Sequence, residues 1–204
     1  MIIVLEVYTV KEMTEFIYQN NMKVLEHLNY ISNDIQIHSK NHEILYQANY
    51  ILKELHKSDN KVKNIGVSNF NVEHLEALLA QVSIKPVINQ VEFHPYLLQE
   101  SLRRYLEVQN IHMESWSPLM NAQILEDATV KSVAEEVGKS PAQVIIRWNI
   151  EHGVVVIPKS VTPSRIEENL NVFDFNLTPT QIEKLDSLNE DKRIGPDPIG
   201  YNGH

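Results

Sequence analysis

Short runs of β-branched residues alternate along this chain with longer stretches of helical period. The runs fall at residues 2–7, 34–38, 63–68, 87–93, 112–117 and 154–158. Between them lie segments such as LEALLAQV, VKSVAEEVG and PAQVIIRWNIEHG, whose apolar residues recur at helical spacing. Alternation of this kind with short connections predicts parallel strands buried on both faces. Two architectures meet that description, the open doubly wound sheet and the (β/α) barrel. A doubly wound sheet of the Rossmann type would carry a glycine-rich turn after its first strand. The chain holds only six glycines and no such turn, so a barrel is the expectation. In barrels the chemistry gathers where the strands end.

Local punctuation agrees with this division. Asn71 is a good helix N-cap, with His74 where a capping box would place Glu. Gly138 and Gly153 stand where helix C-termini need a residue free to enter the left-handed region. Ser140 followed by Pro141 is the matching start signal for the helix between them. The tail GPDPIGYNGH is rich in turn formers and is expected to be a surface loop.

The 204 residues suffice for one well-cored domain and are few for two, so a single domain over residues 1–204 is expected. A net charge of −9 disfavours nonspecific binding to nucleic acid or to anionic membrane. The chain has no cysteine, which removes disulfide frameworks and thiolate metal sites. His27, His38, His42 and His56 show no metal-ligand spacing, so no metal site is expected. No apolar run is long enough to span a membrane. The opening MIIVLEVYTVKE lacks a basic segment and is interrupted at Glu6, unlike a secretion signal. A cytoplasmic location is the expectation.

The segment VVVIPKSVTPSRIEEN is the richest in chemistry. A strand ends at Pro158, and a helix begins near Pro163. A helix N-terminus after a barrel strand offers free N–H groups and the positive end of a dipole. Lys159 and Arg165 add charge, and Ser160 and Thr162 add hydroxyls. This set suits a phosphate monoester. The same residues also fit a solvated lysine beside an ordinary helix cap, and composition alone leaves both readings open.

IPKSVTPSRIEENLNVFDF resembles the signature of the aldo-keto reductase family, and KNIGVSNF, NQVEFHPY and SWSPL follow the family's order upstream. The resemblance is continuous over residues 53–204 and degenerate over residues 1–52. It implies a (β/α)8 TIM-type barrel and NADPH-dependent reduction of aldehydes or ketones to alcohols, with NADP(H) as cofactor and a small carbonyl compound as substrate. Carried over by position, Ser68, Asn69 and Gln90 would hydrogen-bond the nicotinamide carboxamide, and Trp116 would stack on its ring. Ser117 and Leu119 would border the pyrophosphate. Lys159, Ser160, Val161, Thr162 and Arg165 would hold the adenosine phosphate, and Glu168 and Asn169 the adenine. The family usually follows SWSPL with a glycine-rich stretch, where this chain has MNAQIL.

The same resemblance places His38 at the family's catalytic histidine and Glu6 where the family has a lysine. On that alignment the first two βα units, with their catalytic aspartate and tyrosine, are missing, leaving about six of the eight units of a barrel. Six parallel strands cannot close, so two open edges would be covered by residues 9–50 or by association of two chains, or would leave a marginal, aggregation-prone product. An alternative to a working reductase is therefore a catalytically impaired remnant that retains NADP(H) binding without turnover.

Overall fold

The computed structural model describes residues 64–199 and the backbone of Ile2 and Ile3. Strands β1 (Ile2–Ile3), β2 (Gly66–Ser68), β3 (Ile88–Glu92), β4 (His112–Trp116) and β5 (Val155–Val156) lie side by side in chain order. Strands β2 to β5 are parallel. Helices α1 (Val72–Leu79), α2 (Glu100–Val108), α3 (Ala128–Val137) and α4 (Pro141–Glu151) occupy the crossovers, and α5 (Pro163–Leu170) and α6 (Pro179–Asp186) follow β5.

The strand expected at residues 2–7 is corrected in direction. Ile2 and Ile3 pair antiparallel with Val67 and Gly66. Without β1 this edge of β2 would present unpaired N–H and C=O groups, which a short segment can satisfy in either direction. The strand expected at residues 34–38 and any cover supplied by residues 9–50 lie outside the described residues.

The helix boundaries follow from local chemistry. The Asn71 backbone N–H donates to His74 Nδ1 at 3.2 Å, so the imidazole fills the role expected of Glu in a capping box. The Asp127 carboxylate accepts from the N–H groups of Thr129 and Val130 at the start of α3. Ser140 and Gln143 cap each other reciprocally at the start of α4. Gly138 and Gly153 both adopt positive φ, at 65° and 69°, where the chain leaves α3 and α4.

Side chains alternate across the strands. Val67, Val91 and Met113 join a helix-facing core with Leu75, Leu102, Val144 and Trp148. Trp148 stacks on Phe93 with ring centroids 4.8 Å apart, and its Nε1 donates to Asp186 at 2.7 Å. Helices α2, α4 and α6 are tied together at this point. The Arg103 guanidinium donates to His152 Nδ1 at 2.8 Å, so His152 carries its proton on Nε2 and gives it to Asp186 at 2.9 Å. On the opposite face Ile88 and Val155 form a small apolar cluster. Above it the register sets Ser68 beside Gln90, Gln90 beside Glu114, and Glu92 beside Trp116. The face lined by these strands thus turns polar toward their C-terminal ends. No helix among the described residues is long and apolar enough to cross a membrane.

Candidate functional site

Apart from Gln90, in the middle of β3, the site residues the sequence singled out within the described region lie at or beyond the C-terminal end of a parallel strand. At the end of β2, Ser68 Oγ donates to the Gln90 carbonyl at 3.0 Å, and the Asn69 N–H donates to the same oxygen at 2.8 Å. Asn69 then turns into the left-handed region with φ 59°. Asparagine tolerates that conformation better than most residues. Its side chain is thereby brought over to β4, where Trp116 Nε1 donates to Asn69 Oδ1 at 2.8 Å. Asn89 closes the same corner, accepting from the Phe70 N–H at 3.3 Å and donating to the Phe70 carbonyl at 2.8 Å.

Gln90 points from β3 toward β4, and its Nε2 donates to Glu114 Oε1 at 2.5 Å. Glu114 is 2% exposed. Burial pushes its carboxyl up to about 7, and the Gln90 hydrogen bond pulls it back only in part.

After β4 the backbone is unusual. Ser117, Met120, Asn121 and Ala122 have φ of 55°, 49°, 53° and 69°. The stretch MNAQIL therefore takes, without glycine, backbone conformations that glycine adopts without strain. Beyond β5, Pro158 is buried and Lys159 is exposed. Ser160 Oγ accepts from the Thr162 N–H at 3.2 Å. Pro163 opens α5 at its first position, as expected. Gln143 of α4 holds the far end of α5 by donating to the carbonyls of Glu168 and Asn171.

These pieces enclose a cavity of about 830 Å³ lined by Trp116, Ser117, Leu119, Lys159, Ser160, Arg165, Glu168 and Asn169, with the 120–122 backbone on one side. Ser68, Asn69 and Gln90 adjoin its Trp116 end through the Trp116–Asn69 hydrogen bond and the strand register. Val161 is 87% exposed and lies outside the lining. Thr162 is also exposed and occupies the N-cap position of α5. His38 and Glu6 lie outside the described residues.

Charge is distributed unevenly along the cavity. Lys131 on its rim is paired with Glu126 at 2.6 Å. Lys159 and Arg165 form no ion pair among the described residues. The lining thus carries two cations near a helix N-terminus and a flat indole, the indole adjoining the amide groups of Asn69 and Gln90. An elongated ligand with an anionic end and a planar amide end would be complemented along its length.

Three residues that the sequence did not single out complete the site. Glu114 accepts the Gln90 side-chain hydrogen bond. Glu92, at the end of β3, accepts from the N–H groups of Ile194 and Gly195 at 2.6 and 3.2 Å and from His94 Nε2 at 2.9 Å. Burial alone would raise the Glu92 carboxyl, but these donors outweigh it and hold it below the usual range. Among the described residues the buried His94 Nδ1 has no partner. Gly195 is the third. It lies against the Trp116 ring, and a Cβ there would collide with the ring edge. Residues 195–199 are irregular and largely exposed, as expected of a surface loop, and the first of them, Gly195, packs on the strand ends. Charged residues inside the runs HMESW and NQVEF were the available signal.

Comparisons with known proteins follow the same lines. The Aldo/keto reductase family model matches residues 35–190. Glyoxal reductase of Bacillus subtilis (strain 168) is 52% identical over 147 residues, which is 72% of this chain and 53% of that protein. Methylglyoxal reductase DkgA of Escherichia coli (strain K12) is 43% identical over 144 residues, 70% of this chain and 52% of that protein. Among solved structures, a mutant of Gox0644 in complex with NADPH matches with a TM-score of 0.70 at 45% identity, covering 73% of this chain and 55% of that one. An aldo-keto reductase enzyme from a Medee basin deep-sea metagenome library matches with a TM-score of 0.72 at 40% identity, covering 79% of this chain and 60% of that one. The chain spans about half the length of the curated relatives it matches. The strand and helix arrangement is that of part of a TIM-type barrel.

Proposed function

The chain belongs to the aldo/keto reductase family, and from that premise we propose that it serves NADP(H)-dependent reduction of small aldehydes and ketones to alcohols, its strand ends holding the cofactor. The observation that carries this reading is the convergence of Lys159, Ser160, Arg165, Glu168 and Asn169 with Trp116, Ser117 and Leu119 on one cavity. The donor set fits the group. Lys159 and Arg165 supply the charge a phosphate monoester needs, and Asn169 supplies an amide for the adenine end. Trp116 offers a flat surface for a flat ring. Asn69 and Gln90 stand where they would meet a carboxamide.

When bound, the nicotinamide supplies a hydride to the carbonyl carbon. The chain's own part is to fix the ring against Trp116 and to anchor the far end so that the reacting face is held in place. Two of the curated relatives are named for reducing glyoxal and methylglyoxal, so small dicarbonyls are the substrates to try first.

A second reading, NADP(H) holding without turnover, rests on a separate observation. The carbonyl oxygen gains negative charge during hydride transfer and needs a proton donor or other stabilising group. Among the described residues, the cavity lining contains no tyrosine and no histidine. His38, at the catalytic position by resemblance, would have to fill that role.

Mixing the purified chain with NADPH and methylglyoxal, glyoxal or a larger aldehyde tests both readings. Loss of the reduced-nicotinamide absorbance that depends on protein and substrate supports the reductase. Tight NADPH binding with no such loss selects the second reading, and failure to bind NADPH overturns both.

A further inference from the structure

We infer that Glu114 is a positioning residue for the nicotinamide end of the site: it turns the Gln90 amide so that Gln90 offers an acceptor oxygen beside the donor nitrogen of Asn69, a pair matched to a primary carboxamide. The inference rests on the cofactor reading above and deepens it.

Three hydrogen bonds lead to it. A glutamine side chain can present either its oxygen or its nitrogen to a ligand, because the two ends are nearly the same shape. Glu114 removes that freedom. It sits inside β4 directly beside Gln90 in the register, 2% exposed, and receives the Gln90 nitrogen at 2.5 Å. The ionised carboxylate, the form Glu114 takes above about pH 7, only accepts, so the nitrogen faces Glu114 and the Gln90 oxygen is turned away from it. Trp116 fixes Asn69 in the opposite sense. An indole N–H only donates, and at 2.8 Å it holds the Asn69 oxygen, leaving the Asn69 nitrogen free to donate. Ser68 uses its hydroxyl proton on the Gln90 carbonyl at 3.0 Å, so its remaining capacity is as an acceptor.

The cluster therefore displays one donor, from Asn69, and acceptors from Gln90 and Ser68. A primary carboxamide satisfies that set, its oxygen toward Asn69 and its nitrogen toward Gln90 or Ser68. A carboxylate in the same place has no hydrogen to give, and it would face two acceptors. This also explains why a carboxyl group is kept in a buried position that an apolar side chain would fill without loss of solvation. Without Glu114, the Gln90 amide is free to reverse, and the cluster no longer distinguishes the two ends of the ligand.

The test compares three ligands by titration calorimetry on the full chain at about pH 8, where the Glu114 carboxyl is ionised: NADP+, its nicotinic acid analogue with a carboxylate in place of the carboxamide, and adenosine 2′,5′-bisphosphate, which lacks the nicotinamide end. The native chain should prefer NADP+ over the analogue by about tenfold or more, the effect of a hydrogen bond gained in one ligand and lost in the other. Glu114→Met should bring that preference to within about threefold while leaving the bisphosphate affinity unchanged. Glu114→Gln, nearly isosteric and able both to accept and to donate, should fall between them, and it decides the matter if Glu114→Met fails to fold. An unchanged preference in these variants, or an equal loss of affinity for the bisphosphate, overturns the inference and leaves the cofactor reading standing. Failure of the native chain to bind either NADP+ or the bisphosphate overturns the cofactor reading and this inference with it.

Discussion

The indole nitrogen of Trp116 donates to the side-chain oxygen of Asn69 at 2.8 Å, tying the last residue of β4 to the residue after β2 across the intervening strand. The two cannot be displaced independently. The ring proposed to carry the nicotinamide and an amide proposed to meet its carboxamide move as one unit. Trp116→Phe keeps an aromatic face and releases Asn69. With about 1 kcal/mol at stake, NADP+ binding should weaken about fivefold, with adenosine 2′,5′-bisphosphate unaffected. Calorimetric titration of both ligands checks this.

Gly195 occupies a position where only glycine fits. A Cβ would run into Trp116, and the backbone is held close because the Ile194 and Gly195 N–H groups both donate to Glu92. Gly195→Ala should lower stability by about 1–3 kcal/mol, as overpacking does, and should weaken NADP+ binding by disturbing the ring. Gly138 has a positive φ but open space around its Cβ direction, so Gly138→Ala should cost only about 1 kcal/mol and leave binding alone. Urea midpoints of the two variants separate steric collision from backbone strain.

Ala122 carries backbone strain that its sequence neighbours do not relieve. Its φ of 69° follows Asn121 at 53° and Met120 at 49°. An L-alanine there costs about 1 kcal/mol relative to glycine, offset in part by the greater freedom of glycine in the unfolded chain. Ala122→Gly should raise the urea midpoint by an amount equivalent to a few tenths of a kcal/mol or more. A lower midpoint would show that the left-handed turn is not strained.

The Glu114 carboxyl sets a pH dependence of known sign. Burial raises it to about 7 from an ordinary value of 4.5. Between those values the folded chain keeps a proton that the unfolded chain has released, so its contribution falls as pH rises through this window and levels off above it. Asp186 acts in the other direction. Burial would raise its carboxyl, but His152, Trp148 and Arg103 outweigh burial and lower it. Its contribution is full above the unfolded value of 3.8 and fades as pH falls through the lowered folded value. Glu114→Gln should therefore gain stability relative to the native chain between about pH 4.5 and pH 7, by up to about 3 kcal/mol. Urea unfolding of both chains across that range measures it, and a constant difference would count against a buried titrating carboxyl.

Much of the fold was legible because helices and strands in a barrel each bury apolar residues at their own period. Gly138, Gly153, Ser140 with Pro141, and Asn71 with His74 all punctuate the chain as their chemistry dictates. The direction of Ile2–Ile3 was not legible, since pairing with the edge of β2 depends on what else competes for that edge. Within the site, Lys159 and Arg165 announce themselves by charge beside a helix start. Glu114, Glu92 and Gly195 do not, because their roles come from what lies beside them on neighbouring strands or in the tail. A glutamate inside a strand is informative only once the register shows which side chain it faces.

The most direct test of the cofactor-holding site is titration of NADP+ and NAD+ into the native chain and into Lys159→Ala. The native chain should bind NADP+ at least about tenfold more tightly than NAD+, and Lys159→Ala should remove most of that difference, since a charge-assisted hydrogen bond to phosphate is lost. No heat with NADP+, or equal affinity for both cofactors that Lys159→Ala leaves untouched, would contradict it.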